Sequence, residues 1–374
     1  DIGDSDGGAG DQIFGEGGDD IILGQQGDDR LFGGSGDDDL IGGHNVAGGF
    51  DELTAPVIVT TGSDANDLID GGSGDDALAG DNAVIWRNDD NASDRYQALN
   101  GELLYFADTP DSRAADVSGT PQSNPDDGPG RTITLLDHAD DTVPGLYGVD
   151  YLAGNAGNDL IFGQLGADVI QGDGNIGDDP TTRTTALTTA DSVGDTDGVL
   201  YFNVFEDSTD GDDYIEGNGG ADLIYGGLGQ DDIVGGSSTL FGLTTPAQRP
   251  DGADTIYGGA GTPDRIERNA FSGDLGDAER HALDSDFIAG DNADIYRIVG
   301  TSDSDSGDYL SFNYDNYAPA NPIVVRALTM HDYDPGEVSS ATNGTGDLIY
   351  GESGDDFIHA MMGADVVYGD AEDD

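Results

Sequence analysis

A nine-residue repeat constrains this chain more than any other feature. Residues 15–23 read GEGGDDIIL, residues 24–32 read GQQGDDRLF, and residues 33–41 read GGSGDDDLI. Each copy has a glycine-rich first half, Asp at the sixth place and a large aliphatic residue at the eighth. The same phase returns in several later clusters, so we interpret the chain as a repeat protein whose units stack on one another.

The sixth-place Asp recurs in 17 copies, and Ile, Leu or Val stands two residues after each of them. In chain order the copies are Asp11, Asp20, Asp29, Asp38, Asp67, Asp76, Asp150, Asp159, Asp168, Asp213, Asp222, Asp231, Asp254, Asp286, Asp347, Asp356 and Asp365. We predict that these carboxylates bind metal. The alternative is an Asp in a solvated turn that caps local amides.

The chemistry of the repeat explains this prediction. Glycine permits positive φ and close approach of neighbouring backbones, as a tight turn requires. The second half of each copy is long enough for one short strand, with its aliphatic side chain pointing inward. Stacked turns then bring carboxylates and carbonyl oxygens face to face, which suits Ca²⁺ and not Zn²⁺. Because the carboxylates repel one another without a cation, we expect folding and calcium binding to be coupled.

The repeat resembles GGxGxDxUx, the RTX or haemolysin-type calcium-binding nonapeptide. This resemblance implies an all-β, right-handed parallel β-roll with two nonapeptides per coil, in which each ion lies between Asp side chains two repeats apart. The pairs implied here are Asp11 with Asp29, Asp20 with Asp38, Asp150 with Asp168, Asp213 with Asp231, and Asp347 with Asp365. Asp159 has no such partner in its own cluster, so we expect its loss to be mild.

Composition excludes several classes of partner. The chain has 77 Asp and Glu against 12 Lys and Arg, a formal net charge of −65, and no Cys. Nucleic acid is therefore not an expected partner, because its binding needs a basic surface. An anionic membrane surface would repel the chain, and no apolar run approaches the ~18–20 residues of a membrane-spanning helix. Because the chain has no Cys and can form no disulfide, we expect bound calcium to stabilise the fold instead.

Long insertions separate the repeat clusters, and the insertions are related to each other. Residues 76–87 (DALAGDNAVIWR) recur as residues 286–297 (DFIAGDNADIYR). We divide the chain into a first module, 1–207, and a related second module, 208–374. The nonapeptides lie at 6–43, 62–80 and 145–172 in the first module, and at 208–235, 249–257, 281–290 and 342–369 in the second.

We expect the insertions to form β-hairpins and loops that interrupt the roll, with one helix over 263–283. Trp86 and Tyr296 occupy matching places and are interpreted as packing anchors. Asp81, Asp173, Asp291 and Asp370 follow a Gly at the end of a cluster, where they are candidates for capping the last metal site. The chain has no initiator Met and begins inside a repeat, so we interpret it as a segment of something longer.

The sequence contains no recognisable catalytic motif, and we expect no enzyme activity. A phosphate-binding loop of the usual form needs a Lys that the chain lacks, the five His show no HExxH spacing, and no EF-hand loop is in register. The expected function is an extracellular or cell-surface bacterial module, structural or adhesive, that folds on Ca²⁺ and assembles with other copies or with a cell surface or matrix. The alternative is the carboxy-terminal, calcium-folded secretion domain of an enzyme or toxin exported by a type I system.

Overall fold

The computed structural model describes most of the repeat clusters and parts of the insertions. The described residues are 10–48, 65–98, 119–139, 141–142, 144–176, 186–187, 200–203, 209–261, 282–301, 306–312, 322–333, 344–370 and 374. Strands dominate this part of the chain. A 3₁₀ turn lies at Pro246–Gln248, and residues 282–283 are helical. The predicted helix over 263–283 lies almost wholly outside the described residues.

Every nonapeptide forms one strand, which begins at the residue after the sixth-place Asp. Successive strands alternate between two all-parallel sheets, so that two nonapeptides make one coil of a β-roll, as the resemblance implied. With strands numbered in chain order, the nine-stranded sheet has the spatial order β1 (Gln12–Phe14), β3 (Arg30–Ser35), β5 (Leu68–Ser73), β11 (Tyr151–Ala156), β13 (Val169–Gln171), β18 (Leu223–Tyr225), β20 (Thr255–Tyr257), β24 (Leu348–Glu352) and β26 (Val366–Asp370).

The second sheet has eight strands and lies opposite the first. Its order is β2 (Ile21–Leu23), β4 (Asp39–Ile41), β6 (Ala77–Ala79), β12 (Leu160–Gly166), β17 (Tyr214–Gly220), β19 (Asp232–Val234), β21 (Phe287–Ala289) and β25 (Phe357–His359). At ~4.8 Å between strands the roll is roughly 40 Å long.

The core between the two sheets consists of the eighth-place side chains. Fourteen of the seventeen are buried in a single column, from Ile22 to Ile349, while Ile13 and Ile358 pack partly against it. Val367, in the last described strand, is 43% exposed. Because the side chains of a strand alternate between its two faces, the eighth place points inward whenever the seventh and ninth point outward. Full burial of each such side chain stabilises the fold by about 1.5–3 kcal/mol.

The strands are in register, as aromatic residues on the outer surface show. Tyr225, Tyr257, Tyr350 and Tyr368 occupy the ninth place of four consecutive strands in the nine-stranded sheet. Their rings stack with centroids 4.8–5.1 Å apart and nearly parallel planes. The spacing equals the strand separation, so equivalent places of successive repeats lie directly above one another.

The insertions form smaller sheets, and those described pack against the roll. Antiparallel β7 (Ala83–Arg87) and β10 (Arg131–Leu135) come from the first module, and β22 (Ala293–Ile298) and β23 (Arg326–Met330) form the matching hairpin of the second. The remaining insertion strands are β8 (Ala92–Ala98), β9 (Thr120–Ser123), β14 (Asn175–Ile176), β15 (Ala186–Leu187) and β16 (Leu200–Asn203). The expectation that the insertions form antiparallel β-structure is therefore confirmed.

A buried carboxylate docks each hairpin onto the eight-stranded sheet. Asp39, at an outward seventh place of β4, binds Arg87 Nε at 2.5 Å and Arg131 Nε at 2.6 Å. The Asp39 side chain is fully buried, and the two arginines come from the paired strands β7 and β10. A buried ion pair of this kind holds its partners in one arrangement, because moving either one leaves an uncompensated charge.

The second module repeats this arrangement and adds a contribution from the first. Asp232 of β19 binds Arg297 Nε at 2.7 Å and Arg326 Nε at 3.1 Å, from β22 and β23. Arg95 of β8 adds Nη2 at 3.2 Å, because β8 pairs in parallel with β22. Although burial alone raises the pKa of Asp232, the three guanidinium groups lower it below its usual value.

The two modules share both sheets, and one expectation about the insertions is wrong. The boundary at 207/208 interrupts neither sheet, because β12 pairs with β17 and β13 with β18 across it. The interpretation of Trp86 as a packing anchor is wrong, since this side chain is 68% exposed on the outer side of β7. Its counterpart Tyr296 is half-buried and donates its hydroxyl to Asp294 Oδ2 at 2.8 Å.

Candidate calcium-binding ladders

The 17 sixth-place Asp residues form two ladders, one along each sheet. The first ladder precedes the strands of the nine-stranded sheet and contains Asp11, Asp29, Asp67, Asp150, Asp168, Asp222, Asp254, Asp347 and Asp365. The second ladder precedes the strands of the eight-stranded sheet and contains Asp20, Asp38, Asp76, Asp159, Asp213, Asp231, Asp286 and Asp356. Every predicted residue is thus a member of a ladder.

One repeated hydrogen bond connects each ladder. The backbone N–H of an Asp donates to Oδ1 of the next Asp, at 2.6 Å from Asp11 to Asp29 and 3.1 Å from Asp347 to Asp365, the two extremes. The Asp carbonyl accepts in turn from the first strand residue of the next coil, as Arg30 N–H does to Asp11 at 2.8 Å. The Asp main chain and Oδ1 are therefore fully used within the roll.

The second carboxylate oxygen has no hydrogen-bond partner. Oδ2 is buried and unpartnered at fifteen of the seventeen positions, all except the end members Asp11 and Asp365. A buried polar atom without a partner is costly, and here the same atom is orphaned at every interior step. Such regularity points to a ligand that the repeat is built to hold.

Glycine leaves room for these oxygens. A methyl group placed on Gly80 would lie 2.5 Å from Asp150 Oδ2 and 2.5 Å from the carbonyl oxygen of Gly163. The first-place glycines Gly24, Gly33, Gly71, Gly163, Gly217 and Gly258 show the same two kinds of oxygen, one from a ladder Asp and one from a glycine carbonyl of the next coil. Each turn therefore brings a carboxylate oxygen and a carbonyl oxygen together where only a glycine fits.

This set of donors fits calcium. Ca²⁺ takes six to eight oxygen ligands from carboxylates and backbone carbonyls in flexible geometry, whereas Zn²⁺ prefers His and Cys. Within the described ranges, no group of three or more His, Cys, Asp or Glu side chains is placed to hold a metal. A cation in a ladder turn would therefore use carbonyl oxygens beside the carboxylates, and Asp Oδ2 is the side-chain atom available for it.

Burial also changes the acidity of the ladder. Loss of hydration raises the pKa of Asp29 to about 6, of Asp76 to about 7 and of Asp150 to about 8, against the opposing effect of the N–H that each accepts. At Asp159 and Asp168 burial again raises the pKa, and the charge of the preceding ladder member raises it further. Without a cation, the interior carboxyl groups hold protons at pH values where an exposed Asp is ionised.

The five implied Asp pairs are adjacent in the ladders, and the structure adds ten more across the insertions. The expectation that Asp159 lacks a partner is wrong: Asp76 N–H donates to its Oδ1 at 2.7 Å, and its own N–H donates to Asp213 Oδ1 at 2.8 Å. The error arose because sequence distance was taken for spatial distance across an insertion.

The structure also shows acidic repeat positions that the sequence reasoning missed. Asp374 stands nine residues after Asp365, and a methyl group on Gly369 would meet its Oδ2, as at other first-place glycines. A further ladder runs through fifth-place residues, where Asp75 accepts from Asn158 N–H at 3.0 Å and Asn158 from Asp212 N–H at 2.7 Å. The repeat phase was the signal for Asp374, and the frequent Asp or Asn at the fifth place for the other ladder.

Asp81 and Asp173, candidates for capping a metal site, are occupied by backbone amides. Asp81 accepts from Gly148 N–H at 2.7 Å and Leu165 N–H at 3.0 Å, and Asp173 accepts equivalent bonds in the next module. Asp370 is exposed in the last strand. Asp291 differs from them, because its Oδ1 has no hydrogen-bond partner.

Comparison with known families agrees with this geometry. A family model described as the RTX calcium-binding nonapeptide repeat (4 copies) matches residues 6–43, 61–82, 144–179, 207–238, 251–262 and 342–374. No curated protein matches the chain significantly. Asp286 is the one predicted residue outside the matched segments, yet it lies in the second ladder between Asp231 and Asp356. In the described part of the chain, no helical segment has the length and hydropathy of a membrane-spanning helix.

Proposed function

The chain carries RTX calcium-binding nonapeptide repeats in six segments between residues 6 and 374, and from this premise we propose that it is an extracellular structural module. Its role is to fold on calcium into a stiff roll that presents the insertions at a bacterial surface or in a matrix. The two unbroken ladders, in which fifteen of the seventeen Asp residues have a buried and orphaned Oδ2, are the observation that supports this proposal most strongly.

Calcium dependence supports the extracellular part of the proposal. Interior ladder members are fully buried, as Asp150, Asp213 and Asp286 are, and stacked carboxylates at this spacing repel each other strongly. Bound calcium supplies the positive charge that turns this repulsion into attraction. Extracellular calcium modules typically bind in the ~10⁻⁴–10⁻³ M range, so mass action favours the folded chain outside the cell and not in the calcium-poor cytoplasm.

The way the insertions are fixed supports a structural role rather than a catalytic one. Two hairpins are docked by buried ion pairs on Asp39 and Asp232. The insertion between β19 and β20 packs on the sheet through Phe241, whose ring centroid lies 4.6 Å from that of Phe162 in β12. The insertions therefore form a fixed outer surface on the roll. Such a surface suits adhesion or assembly, where shape must be kept over a repeating array.

Self-assembly is part of this proposal. Among the described strands of the nine-stranded sheet, β1 and β26 are each paired on one side only. Phe14 is exposed on the first of them, and Val366 and Tyr368 on the last. Unpaired parallel edges that carry apolar side chains favour the addition of further strands, here from another copy of the roll.

A calcium titration of the metal-stripped chain tests the proposal. Far-UV circular dichroism and light scattering are followed together, with magnesium as the control cation because it demands octahedral geometry and gives up its water reluctantly. We expect a cooperative change from coil to β near millimolar calcium, and scattering that rises with it if copies assemble. A spectrum that is β-rich in chelator and indifferent to calcium would mean a metal-free solenoid, against the proposal.

A further inference from the structure

Asp81 and Asp173 show what an Asp at the second place of a repeat normally does in this fold. Both are 2% exposed, and each carboxylate accepts two backbone N–H groups from turns of the next coil. Both oxygens are therefore supplied with donors. In this position the side chain fills the turn that ends a repeat cluster, before an insertion, and no cation is needed to satisfy it.

Asp291 stands at the same second place but is satisfied differently. One of its oxygens, Oδ2, accepts from the Met362 N–H, which corresponds to the bond that Leu165 makes to Asp81. The other oxygen, Oδ1, has no partner although the residue is only 2% exposed. Asp81 Oδ1 accepts the Gly148 N–H, whereas no amide donates to Asp291 Oδ1.

A second carboxyl group takes the place of that amide. The Asp251 and Asp291 carboxyl groups lie beside each other, near enough for each to shift the pKa of the other. Asp251 is 4% exposed, its Oδ1 accepts only from the N–H of the adjoining Gly252 at 2.9 Å, and its Oδ2 has no partner. Two acidic groups therefore meet in the interior, and each keeps an oxygen without a donor.

The sequence explains why this contact occurs at only one turn among those described. Asp251 is the third residue of a repeat whose first two places are Arg249 and Pro250 instead of glycines. The turn leads into β20, and Asp291 follows β21 in the next coil, so the two Asp residues lie in neighbouring turns. Small residues leave room for both: a methyl group on Gly236 would lie 3.1 Å from Asp251 Cγ, and one on Gly344 would meet Asp291.

We propose that Asp251 and Asp291 bind a calcium ion of their own, in addition to the ladder site of Asp254 and Asp347 beside them. The inference rests on the proposed calcium-binding function. Two buried carboxylates side by side, each with an unpartnered oxygen, repel each other when both are ionised, and a cation between them removes that repulsion. The oxygen-only surroundings and the carbonyls of the two turns match the ligands that Ca²⁺ prefers.

The geometry separates this site from the ladders. Each ladder carboxylate accepts, through Oδ1, the backbone N–H of the preceding ladder member, as Asp347 Oδ1 does from Asp254 N–H at 3.0 Å. Asp251 and Asp291 meet side chain to side chain. Asp254 and Asp347 nevertheless interact electrostatically with this pair, so the ion is counted with variants that change only Asp251 or Asp291 and keep both ladder carboxylates.

The test is the number of calcium ions bound per folded chain, measured by elemental analysis after equilibrium dialysis, with circular dichroism to verify folding. We expect Asp251→Asn and Asp291→Asn each to bind one ion fewer than the parent. Asp173→Asn is the matched control, because its carboxylate is held by amides, and we expect its ion count to be unchanged. Asp251→Asn and Asp291→Asn remove opposite halves of one site, so either variant that folds decides the question.

The outcomes are distinguishable from a failure of the proposed function. A parent chain that binds no calcium would contradict the function itself. A parent that binds calcium, with Asp251→Asn and Asp291→Asn binding as many ions, would overturn only the present inference; the contact would then be a pair of carboxyl groups that share a proton. In that case the asparagine variants would also be more stable than the parent in chelator at pH 8, and equally loaded in calcium.

Discussion

The backbone N–H of Asp76 donates a 2.7 Å hydrogen bond to Oδ1 of Asp159, although 83 residues separate them in the chain. The insertion between them leaves the roll and returns in phase, so that the coil after it stacks on the coil before it. Asp159 then donates to Asp213 across a second insertion. The ladders are continuous because each repeat after an insertion has the same order of glycine, Asp and aliphatic residue. The repeats themselves need not be consecutive in the chain.

Asp159→Ala should therefore strongly reduce the number of calcium ions bound. Asp159 lies between Asp76 and Asp213, so its carboxylate borders two turns, and we expect the folded chain to bind two calcium ions fewer. The end member Asp365 has one described ladder neighbour, Asp347, and Asp365→Ala should bind one fewer. Isothermal titration calorimetry of both variants measures the difference. Equal losses in the two would show that ions are not shared between successive ladder members.

Gly80→Ala should disrupt the turn that faces Asp150. The added methyl group would lie 2.5 Å from both Asp150 Oδ2 and the Gly163 carbonyl oxygen, and overpacking of this kind costs about 1–3 kcal/mol. We expect a lower unfolding temperature and weaker calcium binding. Gly17→Ala is the control, because its nearest new contact is the Ser35 hydroxyl at 2.9 Å, a side chain that can rotate away. A calcium affinity unchanged by Gly80→Ala would argue against an ion near this turn.

The calcium-free chain should become more stable on acidification. The pKa values of Asp29, Asp76, Asp150 and Asp347 are raised by burial to about 6, 7, 8 and 9, against about 3.9 in an unfolded chain. Groups with a raised folded pKa contribute stability that is complete below the unfolded value and is lost as pH rises through the folded values. That loss falls between about pH 4 and 9.

Circular dichroism in chelator measures this effect. We expect β content to rise as the pH is lowered from 8 to 5.5, above the pI of about 4.1. With calcium present, acidification should instead weaken calcium binding, since protons compete with the cation for the same carboxylates. Asp347→Asn, which imitates the protonated group, should stabilise the calcium-free chain at pH 8. A calcium-free spectrum that loses β structure on acidification would show that the ladders are not protonated.

Asp231 and Asp232 are neighbours in sequence with different roles, and their asparagine variants should separate them. Asp231 belongs to the second ladder, so Asp231→Asn should reduce the number of calcium ions bound. Asp232 faces outward and binds Arg95, Arg297 and Arg326; Asp232→Asn leaves these buried charges uncompensated and should cost about 3–5 kcal/mol.

For Asp232→Asn we expect an unchanged calcium count and a lower free energy of unfolding. Proteolysis of the β22–β23 hairpin should also become faster, because its docking contact is weakened. The two variants are matched in position and chemistry, so a general effect of removing a charge would appear in both. Loss of calcium by both in equal measure would refute the separation between ladder and hairpin contact.

Local chemistry was sufficient to predict the turn, the strand and the inward side chain of each repeat, and the family resemblance added the roll. Glycine at the first place, Asp at the sixth and an aliphatic residue at the eighth determine a turn, a carboxylate and an inward side chain within nine residues, and the strand bounds follow directly. The positions of Asp29 or Ile161 were therefore predictable from their own repeats. The phase also identified Asp286, which stands alone between two insertions.

The tertiary structure alone decided which repeats become neighbours and how the insertions dock. Asp76 meets Asp159, and Arg95 meets Asp232, through the folding of segments whose lengths carry no period, so no spacing in the sequence announces these contacts. The Asp251–Asp291 contact likewise depends on two turns in adjacent coils, each altered by its own insertion. A repeat determines the structure of one coil because its interactions are local, whereas contacts across insertions depend on how the whole chain closes.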